Sequence, residues 1–245
     1  MTDHPRGMVE IRHVPGGTRD AYNDIYAGAG IRHPEAMWRR LLAVVDGRPG
    51  MRLLDVACGE GQLLRHALAG GMATHGVDLS EVALGKARAA APGAVLAVAD
   101  GEALPYADGS FDRVTNMGSL EHYEDPVRGA AEMARVVTGD GRVVLHVPNT
   151  FGLRWSVQYA WRHGDVCDDG QPIQRYGTRV QWTRLLAAGG LVVERTLGYD
   201  GAADLPSTPA GWWGLVRHPS RLLGPATRLL PVDMASIYLF VCRRA

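Results

Sequence analysis

The stretch Leu53-Leu54-Asp55-Val56-Ala57-Cys58-Gly59-Glu60-Gly61-Gln62-Leu63-Leu64 runs from an apolar segment through an acid into a two-glycine turn. Met51–Ala57 has the length and side chains of a buried strand, and Gly61–Leu68 has the spacing of a helix. Glycines at such a junction let the main chain approach a ligand closely and leave N–H groups free at a helix N-terminus. A dinucleotide fingerprint of the form G-x-G-x-x-G needs a third glycine so that helix and strand can close around a pyrophosphate, and Leu64 occupies that place. Asp55, at the strand's end, would face a pyrophosphate unfavourably and suits a cationic ligand. The turn therefore argues against NAD.

Outward from this junction the chain keeps alternating between strand and helix patterns. Ala73–Val77 reads as a strand, Ser80–Ala90 as a helix capped by Ser80, and Ala94–Ala99 as a third strand. A strand at Phe111–Asn116, a helix over Pro126–Val137, a strand over Gly141–Val147, a helix near Thr178–Ala188 and strands at Leu191–Leu197 and Ser236–Arg243 follow. This pattern makes βαβ units, so the expected class is α/β, a doubly wound, mostly parallel seven-stranded sheet with helices on both faces. A length of 245 residues suits one such domain with appendages. Residues 1–50 are expected to form an N-terminal helical cap or lid, with helices at Thr18–Tyr26 and Pro34–Val45, the second opened by proline at its first position. Residues 51–200 form the core, 150–175 and 200–233 are insertions, and 234–245 hold the final strand.

Composition removes several function classes. The 26 basic and 26 acidic side chains cancel, so a nucleic-acid binder working by bulk phosphate neutralisation is not expected. Lys86 is the sole lysine and lacks the Ser/Thr that follows it in a P-loop, which excludes that class of ATPase. Cys58, Cys167 and Cys242 are odd in number and widely spaced, as in a reduced, cytoplasmic protein, and they form no zinc motif. No window of 18 apolar residues occurs, so no transmembrane segment is expected. Charge is uneven: residues 51–150 carry 8 basic and 13 acidic groups, and residues 201–245 carry 5 and 2. Trp212, Trp213, Leu222, Leu223, Leu229 and Leu230, with Arg217, Arg221 and Arg228, read either as a weak membrane-surface contact or as the buried aliphatics and snorkelling arginines of a cap.

Two further acids follow Asp55 at strand ends. Asp78 in Val77-Asp78-Leu79 stands where an open α/β sheet holds ribose hydroxyls, and Asp100 ends the third strand. Each alone is equally an ordinary turn or cap aspartate. Together, Asp55-x-x-x-Gly59-x-Gly61, Asp78, Asp100 and Leu104-Pro105-Tyr106-Ala107-Asp108-Gly109-Ser110-Phe111-Asp112 resemble the class I S-adenosylmethionine (SAM)-dependent methyltransferases, over about Met51 to Leu197. The resemblance implies a Rossmann-like fold and SAM as cofactor. It places Gly59 and Gly61 against the methionine moiety, Asp78 at the ribose hydroxyls, and Asp100 with the Gly101 and Glu102 backbone at the adenine, with Asp55, Gln62, Leu79, Asn116 and Met117 adding to the cofactor site. The segments Val114 to Pro126 and Gly141 to Asn149 resemble the small-molecule branch that includes quinone-biosynthesis O-methyltransferases. Gly118 stands where some of those enzymes carry an extra acid linked with metal binding, so no metal is expected.

Methyl transfer from a sulfonium is an in-line displacement that needs no enzyme nucleophile, but a hydroxyl acceptor must lose a proton. His122, after the fourth strand, is the base candidate, with capping and ordering of its loop as the alternative. His146, inside a strand, reads as a satisfied core histidine. Tyr22 and Tyr26, four apart on one helix face, are candidates to seal the site, and Asn149 and Trp155 to shape the acceptor pocket. The leading expectation is methyl transfer to a small molecule, oxygen favoured and then nitrogen or carbon. An NAD-dependent oxidoreductase and a non-catalytic SAM-fold binding protein are the alternatives, and neither the acceptor nor the oligomeric state is written in the sequence.

Overall fold

The computed structural model describes residues 7–13, 18–31, 33–200 and 231–245, together with Trp213 and Arg217. In chain order the elements are β1 (Val9–Arg12), α1 (Thr18–Ala27), α2 (Glu35–Val45), β2 (Arg52–Val56), α3 (Gln62–Ala69), β3 (Ala73–Asp78) and α4 (Glu81–Ala90). They continue with β4 (Val95–Val98), β5 (Phe111–Met117), α5 (Pro126–Val136), β6 (Val137–Pro148), α6 (Gln158–His163) and β7 (Ile173–Tyr176). The described chain ends with α7 (Arg179–Ala188), β8 (Leu191–Tyr199) and β9 (Ile237–Arg244).

The helices begin where the sequence offers an acceptor to their free N–H groups. Ser80 Oγ accepts from Ala83 N at 3.1 Å, and Asp125 Oδ1 from Val127 and Arg128 at 3.1 and 3.0 Å ahead of Pro126. Thr178 and Gln181 form a reciprocal capping box on α7. Pro34 is the N-cap residue of α2 rather than its first helical residue, because its ψ of 143° is extended.

Seven strands form one sheet in the order β4-β3-β2-β5-β6-β9-β8. The five from β4 to β6 pair in parallel, and β9 runs antiparallel to both β6 and β8. The mostly parallel, doubly wound architecture is thus as expected. Strand alternation divides the core: Leu54, Val56, Val143, Leu145 and Val147 pack with α5 and α7, through Met133, Leu185 and Trp182, while Leu53 and Val144 face Leu64 and Leu84 on the other side. Helices cover both faces for that reason.

A second sheet was not legible in the sequence. β1 pairs antiparallel with β7, Val9 opposite Tyr176 through Arg12 opposite Ile173. Each strand is only four residues long, so even the apolar–charged alternation of Val9-Glu10-Ile11-Arg12 is too brief to stand out as a strand in the sequence. Within the first insertion, Leu153–Val157 adds a π-helical turn before α6. Of the second insertion, Trp212, Leu222, Leu223, Leu229, Leu230, Arg221 and Arg228 lie outside the described residues. Among the described residues no helix is long and apolar enough to cross a membrane.

Candidate active site

A cavity of about 230 Å³ opens at the C-terminal ends of the parallel strands, where the chain leaves β2, β3, β4 and β5. In an open α/β sheet this is the crevice left by strand order reversing direction, here between β2 and β5. Asp55, Gly59, Gln62, Asp78, Leu79, Asp100, Gly101, Glu102, Met117, His122, Tyr22 and Tyr26 all border it. Gly61 stands just behind, at φ 75°, where a Cβ would come 3.0 Å from Ala87. The left-handed turn and the close approach to α4 both require glycine there.

Asp78 is the pivot of the glycine turn. Its Oδ2 accepts from Gly59 N and its Oδ1 from Ser80 N, both at 2.8 Å, and the residue is buried. Burial raises its pKa while the two N–H groups pull it down. Each oxygen keeps a lone pair beyond these bonds, enough for two vicinal hydroxyls. Asp55 lies deeper, accepts from Thr115 Oγ1 at 2.7 Å, and is pushed up to about 7 by burial, Thr115 opposing and Asp78 adding to the rise. A cation bound nearby would favour its ionised form. Asp100 Oδ1 accepts from Glu102 N at 2.9 Å, fixing the turn after β4.

Besides Gly61, three sequence-based site assignments do not line the cavity. Asn116 is fully buried beneath it, donating to Val56 O and Tyr123 Oη and accepting from Leu120 N, so it staples β5 to β2 and to the following loop. Asn149 is consumed in the same way by Asp233 O, Ala235 O and Phe151 N. Trp155 is 56% exposed on the π-helical turn and borders no described cavity. Short polar and large aromatic side chains near strand ends carry the same sequence signal whether they serve backbone or ligand.

His122 sits in a 3-10 turn spanning Leu120–His122. Its Nδ1 is bonded to the Ile173 carbonyl. A carbonyl only accepts, so Nδ1 carries the proton and Nε2 of the neutral ring holds the lone pair. Burial lowers its pKa, against the upward pull of that carbonyl. Glu121 Oε1 lies 3.9 Å from Nε2, and burial raises its carboxyl to about 8. Arg175, almost wholly buried on β7, fixes this loop through the carbonyls of Glu121, Tyr123 and Glu124 and pairs with Glu10 of β1 at 2.8 Å. The small sheet therefore positions the histidine.

The N-terminal helix closes over the site by contacts that sequence reasoning missed. Lys86 Nζ donates to Tyr26 O at 2.6 Å and to Glu60 Oε1 at 2.9 Å, tying the end of α1 to α4 and the glycine turn. Ser80 Oγ donates to Asn23 Oδ1 at 2.7 Å, and Tyr22 Oη to Gln171 Oε1 at 3.2 Å. Tyr26 Oη would lie 2.8 Å from a Cβ on Gly59, so the tyrosine ring rests on the turn. That Lys86 is the sole lysine was the available signal. His146 also differs from expectation: it is buried, but among the described residues neither ring nitrogen has a hydrogen-bond partner. Among the described residues no three His, Cys, Asp or Glu side chains converge as a metal site.

Residues 54–145 match the family described as a methyltransferase domain. A demethylmenaquinone methyltransferase of Beutenbergia cavernae is 34% identical over 112 residues, 45% of this chain and 47% of that protein. The nocamycin O-methyltransferase of Saccharothrix syringae is 36% identical over 137 residues, 53% of this chain and 49% of that protein. The chain thus spans about half the length of the curated relatives it matches. The 1,6-didemethyltoxoflavin-N1-methyltransferase of Burkholderia thailandensis, solved with 1,6-didemethyltoxoflavin and S-adenosylhomocysteine, superposes with a TM-score of 0.62 at 17% identity, covering 100% of this chain and 98% of that one, a likeness of fold. Residues 54–145 therefore match a methyltransferase domain, and the chain as a whole shares the Rossmann-like α/β fold of the solved structures it resembles.

Proposed function

We propose that this chain transfers a methyl group from SAM to a small-molecule acceptor, oxygen being the favoured atom. The observation that carries this reading is Asp78, whose two carboxylate oxygens are each anchored by one backbone N–H and each keep a lone pair beside the cavity. The cradle fits the cofactor: Gly59 and Gly61 leave no room for a Cβ, and Asp55 offers a carboxylate to a cation. When bound, SAM supplies an electrophilic methyl on a sulfonium.

The chain's own residues then have three tasks. Asp78, Asp100 and the glycine turn hold the donor, and restricting two reactants in line is worth up to ~7–11 kcal/mol. Tyr22 and Tyr26, latched by Lys86 and Ser80, exclude water from above. His122 Nε2 takes the proton of a hydroxyl acceptor, a general-base contribution of ~10²–10⁴-fold. The positioned histidine is what favours oxygen over an acceptor that needs no deprotonation.

The dinucleotide alternative meets a steric obstacle. Leu64 is fully buried, and its Cδ1 lies 2.6 Å from where a Cβ on Gly76 would stand, so this side chain fills the space that a third glycine would leave open. Calorimetric titration with SAM, S-adenosylhomocysteine and NAD tests the reading. Tight binding of the first two with transfer of label from methyl-labelled SAM to a compound panel is expected, and tighter binding of NAD overturns it.

A further inference from the structure

Strand order divides the walls of the cavity. The acids assigned to the donor, Asp100, Asp78 and Asp55, stand at the C-terminal ends of β4, β3 and β2, so at ~4.8 Å between neighbouring strands they span about 10 Å of the sheet. β5 comes next. Its last residue, Met117, borders the cavity together with Trp38 of α2 and with Ile31 and His33 from the link between α1 and α2. Trp38 and Met117 pack on one cluster with Leu41, Tyr199 and Leu239, which roots this end of the cavity on β8 and β9, away from the donor's acids. Met117 is the boundary between the two ends.

The walls formed by Ile31, His33, Trp38 and Met117 carry no charge at neutral pH. His33 meets Trp38 edge to face, with ring centroids 5.6 Å apart at 73°. Burial lowers its pKa, so the imidazole stays neutral and supplies one hydrogen-bond donor and one acceptor. Indole and thioether both favour an aromatic ring, the first by offset or edge-to-face contact and the second by sulfur against the ring. Gly118, Ser119 and His122 border the same cavity, so the lining runs on from Met117 to the candidate base. We propose that Trp38, Met117 and Ile31 form the platform for a flat, uncharged aromatic ring of the acceptor, and that His33 selects its hydroxyl or carbonyl by a hydrogen bond. This assignment rests on the methyl-transfer reading and names the residues that choose its acceptor. A charged acceptor would leave water for walls that offer no counter-charge.

Equilibrium dialysis of the full chain, saturated with S-adenosylhomocysteine, against 2-naphthol, its saturated counterpart 2-decalol, and naphthalene tests this. We expect 2-naphthol to bind about tenfold more tightly than 2-decalol, a preference for the ring, and about fivefold more tightly than naphthalene, a preference for the hydroxyl. Trp38→Leu should erase the first preference and His33→Phe the second. Ile31→Trp, which fills this end of the cavity, should block all of the probes. Each variant should bind S-adenosylhomocysteine within about twofold of wild type, and circular dichroism verifies folding. Equal binding of 2-naphthol and 2-decalol to the wild type, including no binding of either, overturns the proposal, as does a ring preference that survives in folded Trp38→Leu. Should that variant not fold, naphthol binding that survives Ile31→Trp is decisive against it. A hydroxyl preference that persists in His33→Phe removes the role given to that histidine. If Ile31→Trp weakens S-adenosylhomocysteine as much as it weakens 2-naphthol, this end belongs to the donor and the assignment falls. Failure of the wild type to bind S-adenosylhomocysteine sinks the methyl-transfer reading instead, and is seen before any probe is added.

Discussion

Replacing Asp78 by Asn keeps the shape of the side chain and removes its symmetry. The wild-type carboxylate meets Gly59 N and Ser80 N with one oxygen each. An amide has a single oxygen, so one of these buried N–H groups must face an NH₂, and folding stability should fall by about 1–3 kcal/mol. The effect on the ligand is separate. Of two charge-assisted bonds to vicinal hydroxyls, worth ~1.5–3 kcal/mol each, one is lost and the other becomes a neutral bond weaker by about 1 kcal/mol. The sum, about 2.5–4 kcal/mol, corresponds to roughly 70- to 900-fold in the SAM dissociation constant. Because Asp78 is buried, solvent offers little substitute. Calorimetry with S-adenosylhomocysteine and its 2′-deoxy analogue isolates the hydroxyl contribution: the wild type should discriminate strongly and the mutant weakly. A folded Asp78→Asn protein that binds within twofold of wild type, or still rejects the deoxy analogue as strongly, would refute the role given to this carboxylate.

Replacing His122 by Ala should lower turnover by ~10²–10⁴-fold with SAM affinity unchanged. Since burial lowers this histidine's pKa and the neutral form is the base, the wild-type rate should rise with pH along a limb lying below 6.5, and the variant should lack that limb. Lys86→Met, which unlatches α1 at a lysine 39% exposed, should weaken SAM binding by about 1 kcal/mol, roughly fivefold, and speed hydrogen exchange in Thr18–Ala27. An unaltered exchange rate there would show the latch to be idle. Glu121 keeps its proton to about 8 when folded and loses it near 4.5 when unfolded, so between these values the folded state binds more protons and stability falls as pH rises. Denaturant titrations at pH 5 and pH 8 should find Glu121→Gln relatively more stable than wild type at the higher pH; a constant difference contradicts the assignment.

The core elements were readable because local signals agreed with the fold. Ser80, Asp125-Pro126 and Thr178 mark helix starts by chemistry that acts within three residues. The acids at strand ends were readable because strand direction alone brings Asp55, Asp78 and Asp100 to one crevice. Features made by distant pairing were not. Arg175 and Glu10 are 165 residues apart in sequence, and nothing near either foretells their ion pair or the small sheet that holds the His122 loop. Asn116 and Asn149 turn toward protein partners for a related reason: a polar side chain at a strand end meets a ligand or a carbonyl according to which way it turns, and the sequence does not fix that. His146 was read as satisfied because only packing shows that its nitrogens find no hydrogen-bond partner among the described residues.

The placement of β9 has a consequence for the order in which the protein can be made. Among the described residues β8 pairs only with β9, and β9 also borders β6. Until Ile237–Arg244 has left the ribosome, the parallel half ends at an open edge and β8 has nothing to hydrogen-bond. At ~5–20 residues per second, the stretch from residue 200 to residue 244 takes roughly 2–9 s to synthesise. During that interval the cradle around Asp78, built entirely from earlier elements, can already assemble, so nascent chains halted before β9 would present a ligand-shaped turn on an unfinished sheet and be prime clients for chaperones.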